Sequence, residues 1–189
     1  MSDPVLPLGG ARFDGLIAVE EVPQGMVALR GSLDAEAVKA AVTELTGAAM
    51  PDPLRATRQG DHALLWMAPD ELLILLPRAD GPQAARDLAD TLSGEHALVT
   101  DVSDARAVFA LSGDDGRLRE TLAKLTSADL SPGAFAPGTV RRTRLAQIPA
   151  ALWLTEPGVA RVLCFRSVAR YAFDLLSEAG REGSAVEVL

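Results

Sequence analysis

Carboxylates are the side chains most exposed to a chemical reading in this sequence. Asp101 and Asp104 flank Val102-Ser103, while Ser32, Asp34, Asp114 and Asp115 stand where helices are expected to begin. Paired carboxylates perform acid–base chemistry when they share a pocket that drives their pKa values apart. A helix start accounts for Asp34 and for Asp114 or Asp115 as N-caps, whose oxygens accept from orphan first-turn N–H groups. A turn accounts for Asp101 and Asp104. Cys164 lies in the apolar run Val162-Leu163-Cys164-Phe165, whereas a nucleophilic thiolate needs an electropositive, partly exposed setting and a base; an inert core thiol is expected. His62 and His96 each open an expected strand with no His or Cys at metal-ligand spacing. No G-x-G-x-x-G opening a helix, P-loop or G-x-S-x-G elbow occurs, and Gly9-Gly10 and Gly113 are too short to cradle a phosphate. The expectation is a chain with no catalytic, cofactor-binding or metal-binding residue of its own.

One basic cluster remains. Alternation along a strand places Arg142 and Arg144 of Arg141-Arg142-Thr143-Arg144 on one sheet face, in reach of a carboxylate or phosphate. The alternative is a solvated strand face. With a formal net charge of −8, nucleic acid is excluded as the main partner, because phosphate binding depends on Lys and Arg neutralisation. If the pair has a role, it is docking onto an acidic protein surface.

The elements that position these residues come in two similar sets. Met26-Val27-Ala28-Leu29-Arg30-Gly31 leads into Val38, Val42 and Leu45, and Val108-Phe109-Ala110-Leu111-Ser112-Gly113 leads into Leu118, Leu122 and Leu125. Both are an apolar run ending at glycine, followed by the i, i+4, i+7 spacing of an amphipathic helix. An offset of 87 residues then maps Trp66 onto Trp153, Ala85 onto Ala172, Asp87 onto Asp174, Leu88 onto Leu175 and Val99 onto Val186. The competing explanation is the apolar spacing that any two α/β halves share. Strands are expected near 25–31, 62–68, 71–77 and 97–102 with helices near 34–46 and 82–93. In the second copy, strands are expected near 106–112, 140–146, 149–155, 160–165 and 184–188, with helices near 115–125 and 167–179. The additional strand of the second copy reads as an irregular approach to its central hairpin. Pro69-Asp70 and Glu156-Pro157-Gly158 supply the hairpin turns.

Each set reads β-α-β-β-α-β, the ferredoxin-like arrangement. The expected fold is α+β, with two tandem repeats packed as one body. The divisions are an extended arm at 1–24, a first repeat at 25–104 and a second at 105–189. A chain of this length buries roughly 70% of its unfolded surface without a staple. Its aromatic content of 4% leaves the core to Leu, Val and Ala. The single cysteine fits a reducing compartment. Asp3 and Asp14 interrupt any leader-like apolar segment, and the apolar stretch Leu72 to Pro77 is far below the roughly 20 residues a membrane span needs. A soluble cytoplasmic protein is expected.

Longer motifs carry a resemblance. Asp101-Val102-Ser103, then Val108 to Asp115, then Leu122-x-x-Leu125-Thr126-x-x-Asp129-Leu130, resemble a block of the aminomethyltransferase (glycine-cleavage T-protein) superfamily. Pro132-Gly133-x-Phe135, Thr139-x-x-Arg142-Thr143-Arg144-Leu145-Ala146-Gln147-Ile148-Pro149 and Phe165-Arg166-Ser167-x-Ala169-Arg170-Tyr171 are similar to the gamma-subunit family of heterotetrameric sarcosine oxidases, as are the short length and the Trp66 to Glu71 hairpin. The resemblance covers essentially the whole chain. It implies a T-protein-like fold and a subunit of a flavoenzyme that oxidatively demethylates sarcosine to glycine. In such complexes it implies FAD and NAD on the large alpha subunit, covalent FMN on beta, and tetrahydrofolate chemistry in a T-protein-like region of alpha. The implied partners of this chain are alpha and, through it, beta and delta. Folate-binding relatives carry an acidic pair after the glycine-rich turn, and Thr155 to Arg161 keeps only Glu156, before the turn.

The resulting expectation is a non-catalytic subunit that covers a face of the large one. The leader, rich in Pro and Gly yet carrying Phe13, Leu16, Ile17 and Val19, suits a strand laid along a partner; a cap over the chain's own core is the alternative. Expected contacts are Phe13, Leu16, Ile17, Arg142 and Arg144. Other readings are a free-standing folate-binding or one-carbon-transfer protein, and the same role in a complex for another N-methyl amino acid.

Overall fold

The apolar spacing that predicts the helices is also what buries them. In the computed structural model, which describes residues 6–186, the order is β1 (Arg12–Asp14), β2 (Ile17–Glu21), β3 (Gly25–Arg30), α1 (Glu36–Thr46), β4 (Ala56–Gln59), β5 (His62–Ala68), β6 (Glu71–Leu76), α2 (Gly81–Thr91), β7 (Leu98–Asp101), β8 (Arg106–Gly113), α3 (Asp115–Ala123), β9 (Val140–Leu145), β10 (Ile148–Glu156), β11 (Val159–Phe165) and α4 (Ala169–Ala179). A 3₁₀ turn, Arg166–Val168, leads into α4. Two compact units result: Gln24–Ser103, and a second that joins the leader up to Pro23 with the chain from Asp104 onward.

The first unit is a five-stranded antiparallel sheet, β4-β5-β6-β3-β7, carrying α1 and α2 on one face. Val38 and Val42 from α1 and Ala84 and Leu88 from α2 share a core with Val27, Leu29, Leu64, Leu72 and Ile74. Gly47 ends α1 in the left-handed region at φ 69°, its N–H bonded to Thr43 O at 2.7 Å, as a helix C-terminus favours. Asp34 is not the cap: Ala35 holds that position and no side chain caps the helix. Gly81 is a close-approach residue, since a Cβ there would lie 2.8 Å from Ser103 Oγ.

The second unit is a six-stranded sheet, β1-β2-β8-β11-β10-β9, with α3 and α4 on one face. Its core joins Phe109 and Leu111 to Leu118, Leu122, Leu152, Leu154, Val162, Ala172 and Leu176. Asp114 does cap α3, accepting from Arg117 N at 3.0 Å.

The repeat holds with three corrections. First, β5 and β10 each carry an irregularity, between Trp66 and Ala68 and between Leu154 and Glu156, which sets the offset at 88. Trp66 therefore corresponds to Leu154, and Leu88 to Leu176. Trp66 packs on the helix-side core, while the buried Trp153 lies on the opposite face of its sheet. Second, the additional strand is not peculiar to the second copy, because β4 pairs with β5 as β9 pairs with β10. Third, residues 184–186 form no strand, and 187–188 of the expected strand lie outside the described residues. Its place beside β8 is taken by β2, with Ile17 opposite Gly113 and Glu21 opposite Phe109, as β7 sits beside β3.

Candidate interaction surface

Strand β9 is an edge of its sheet, and its alternation sorts the basic cluster by face. Arg141 turns toward the helix side and donates to the carbonyls of Ala134 and Val140. Arg142 and Arg144 are exposed on the opposite face, where Arg144 Nη2 donates to Gln147 O at 2.7 Å.

The antiparallel register extends that face into a row. Arg144 pairs with Pro149, Pro149 stands beside Phe165 in the β10–β11 ladder, and Phe165 pairs with Arg106. Phe165 is 52% exposed, and the Arg106 guanidinium carbon lies 5.8 Å from its ring centroid, inside the range of cation–π attraction. Two rows further along, Arg161 shares the face with Trp153. On this face β8, β9 and β11 present four arginines, with Glu156 at the end of β10 opposite Val159, in a chain of net charge −8. Alternation within β9 places Arg142 and Arg144 on this face, whereas cross-strand register alone brings Arg106, Arg161 and Phe165 onto it.

The leader forms the other edge. Phe13 on β1 is half-buried against the core and Leu16 N donates to Gly180 O at 2.7 Å. Ile17 is 1% exposed, so a partner reaches it only if β2 leaves the sheet. The buried Glu21 carboxylate accepts from Leu8 N and Gly10 N at 2.9–3.1 Å, tying the leader down.

The residues weighed for chemistry have structural partners. Ser103 Oγ accepts from Met26 N at 2.8 Å, and Asp101 accepts from both the N–H and the hydroxyl of Ser103. Asp115 accepts from Arg119 Nε at 2.8 Å and Gly158 N at 2.8 Å, and Arg119 holds its carboxyl below the usual range. Arg119, itself buried, also donates to Leu130 O and Phe135 O at 2.7 and 2.9 Å. The motif residues Leu130 and Phe135 thus seat a loop in the core. Burial, aided by the charge of Glu21, pushes the Cys164 thiol up to about 11. His62 Nδ1 lies 3.2 Å from Thr46 O. His96 is exposed and lines, with Arg30, Ser32, Asp70 and Leu98, an open cleft of about 450 Å³. Glu156 is exposed at the end of β10. Among the described residues no three His, Cys, Asp or Glu side chains cluster as metal ligands, and no helix is long and apolar enough to cross a membrane.

Comparison with known proteins gives one consistent answer. The sarcosine oxidase subunit gamma of Corynebacterium sp. (strain U-96) is 34% identical over 167 residues, 87% of this chain and 77% of that protein. That of Corynebacterium sp. (strain P-1) is 36% identical over 118 residues, 61% of this chain and 56% of that protein, so this match spans about half of that relative's length. A chain of the solved heterotetrameric sarcosine oxidase from Corynebacterium sp. U-96 in complex with pyrrole 2-carboxylate superposes with a TM-score of 0.79 at 30% identity, covering 94% of this chain and 91% of that one. The glycine cleavage system aminomethyltransferase T from Bartonella henselae shares the fold at a TM-score of 0.67 and 11% identity, over 96% of this chain and 59% of its own. The family described as "Sarcosine oxidase, gamma subunit family" matches residues 30–182, and the chain belongs to it.

Proposed function

We propose that this chain is the non-catalytic gamma subunit of a sarcosine-oxidase-like flavoenzyme complex, in which it supports assembly with the large subunit. The observation that carries the reading is the near full-length superposition, 94% against 91%, on a chain of a heterotetrameric sarcosine oxidase. The engaged state of the reactive groups supports the non-catalytic part, because Cys164 is buried and Asp101, Ser103 and Asp115 are held in structural hydrogen bonds. In this reading FAD, FMN, NAD and tetrahydrofolate belong to the partner subunits. Substrate choice, sarcosine or another N-methyl amino acid, is made there too. The leader, through Phe13 on its edge strand β1 and Leu16 just after it, and the Arg142–Arg144 strand are the proposed contacts with alpha, and through alpha with beta and delta, in the cytoplasm.

The test is co-expression of a tagged chain with candidate flavin-bearing subunits of the same organism. Equal stoichiometry in one complex that oxidises sarcosine is the expected result. A chain that elutes alone while the other subunits assemble and turn over sarcosine overturns the reading. Micromolar binding of tetrahydrofolate to the isolated chain by calorimetry would favour a folate-binding role instead.

A further inference from the structure

The two units share one strand pattern, and the second carries a strand that the first lacks. Strand β7 lies beside β3 as β2 lies beside β8, which matches Val99 with Val19 and Asp101 with Glu21. In the second unit β1 closes the outer edge of β2. Glu21 N donates to Ala11 O at 2.9 Å, Gly15 N donates to Ile17 O at 3.1 Å, and Phe13 pairs with Val19. In the first unit β7 ends the sheet. Val102 N donates to Met26 O at 2.9 Å, so in an antiparallel ladder Thr100 and Leu98 also turn their backbone groups to β3, while Val99 and Asp101 turn theirs outward. Among the described residues no strand meets those outward groups. Burial reports the same difference: Val19, beside β1, is 0% exposed, whereas Val99 and Ala97 are only partly buried at the margin of the first core. Leu98, at 62%, is the most exposed large hydrophobic side chain among the described residues.

From this comparison we infer that the outer edge of β7 is a docking surface for an extended segment of the large partner subunit, added antiparallel as a sixth strand. β1 is the template. Its Phe13, half-buried against the core, stands opposite Val19. The incoming segment accordingly sets a large apolar side chain opposite Val99 and exchanges backbone hydrogen bonds with Val99 and Asp101. An edge of this kind binds through main-chain groups and selects through alternate side chains. β7 reads Leu-Val-Thr-Asp and carries no Lys, Pro or bulge to blunt it. Size selects the occupant. Two four-residue edges pairing between copies of this chain would engage far fewer than the roughly 20–30 residues a side of a stable interface. A strand this short is therefore filled by a protein that is held to the chain at other points as well. This inference rests on the gamma-subunit reading for the identity of that protein.

The experiment compares the co-expressed complex with the full chain alone, by hydrogen exchange resolved to single amides. The Val99 and Asp101 amides should exchange rapidly in the free chain and at least tenfold more slowly in the complex, while Thr100, paired with Ala28, stays protected in both. That alternation marks an added strand, which coverage by side chains would not produce. Val99→Pro removes an outward N–H and spares the β3 ladder, so it should lower co-purification with the large subunit at least tenfold. Leu98→Lys changes an exposed side chain and places a charge on the edge; it should also lower co-purification, with the wild-type melting temperature retained. Val99 and Asp101 amides that exchange as fast in the complex as in the free chain would overturn the edge site and leave the gamma-subunit reading standing. Protection of both amides in the free chain, rising with its concentration alongside a doubled mass, would assign the edge to a second copy and refute a strand of the large subunit. A wild-type chain that elutes apart from the flavin-bearing subunits overturns both readings.

Discussion

Replacing Arg119 with Met keeps an unbranched apolar stem and removes the guanidinium. Arg119 is 4% exposed, and its Nη1 serves two buried carbonyls, Leu130 O at 2.7 Å and Phe135 O at 2.9 Å, while Nε serves Asp115 at 2.8 Å. Each orphaned buried carbonyl costs about 1–3 kcal/mol. Asp115 is partly solvated and rehydrates, so its loss adds little, and the Met side chain recovers a fraction through apolar burial. The expected net loss is about 3 kcal/mol, a large part of the stability of a typical domain. At roughly 2–4 °C per kcal/mol for a chain of this size, the melting temperature should fall by about 6–12 °C. Urea unfolding of the full chain followed by circular dichroism measures it, with an unchanged slope. The pH dependence has a definite sign. The Arg119 hydrogen bond, helped by Gly158 N–H, lowers the Asp115 pKa below its ordinary 3.8. A carboxyl depressed in the folded state contributes stability above its unfolded pKa and loses it as pH falls through the folded value. The gap between wild type and Arg119→Met should therefore narrow below about pH 4. A loss under about 1 kcal/mol at pH 7 would refute the account, since it would mean that the two carbonyls find other donors.

Gly158→Ala should cost at least about 2 kcal/mol, because Gly158 has φ +74° and a Cβ there would lie 2.3 Å from Gly113 O. Gly183→Ala shares the strain at φ +78° but meets nothing within 4 Å, so equal losses in thermal melts would show that the clash contributes nothing. Cys164, buried and with its thiol raised to about 11, should resist a disulfide reagent at pH 8 in the native chain and react fully in denaturant; labelling of the folded chain within minutes would contradict its placement. Ser103→Ala should lose about 1–2 kcal/mol, because Met26 N keeps no side-chain acceptor at 2.8 Å; unchanged urea midpoints would mean that this N–H has another acceptor.

Much of this architecture was legible because its signals are local. The Val38–Val42 and Leu118–Leu122 spacings mark the buried faces of α1 and α3, and β5 spans the expected residues 62–68. The elements that escaped lack a local signal. In β2 the third inward position is Glu21 rather than an apolar residue, and its carboxylate is tolerated only because Leu8 and Gly10 N–H groups reach it. β4 is Ala-Thr-Arg-Gln, with no buried residue to mark it. The tryptophans invited an offset of 87, whereas burial and the sheet irregularities set 88: identity at one position is weaker than the face a residue occupies. The candidate surface divided in the same way, since Arg142 and Arg144 follow from alternation within one strand, but the apposition of Arg106 and Phe165 depends on a register between strands some 60 residues apart in the chain.

The leader's place in the second sheet has a consequence during synthesis. Glu21 pairs with Phe109, 88 residues later, so the first long strand made must wait for β8 before its backbone is satisfied. At about 5–20 residues per second on the ribosome, that interval is roughly 4–18 seconds. Throughout it Ile17 and Val19 are without their core, whereas Gln24–Ser103 emerges as one uninterrupted folding unit. The nascent chain therefore carries an adhesive strand ahead of a finished domain, which makes this interval the stage at which chaperone binding to the leader matters most.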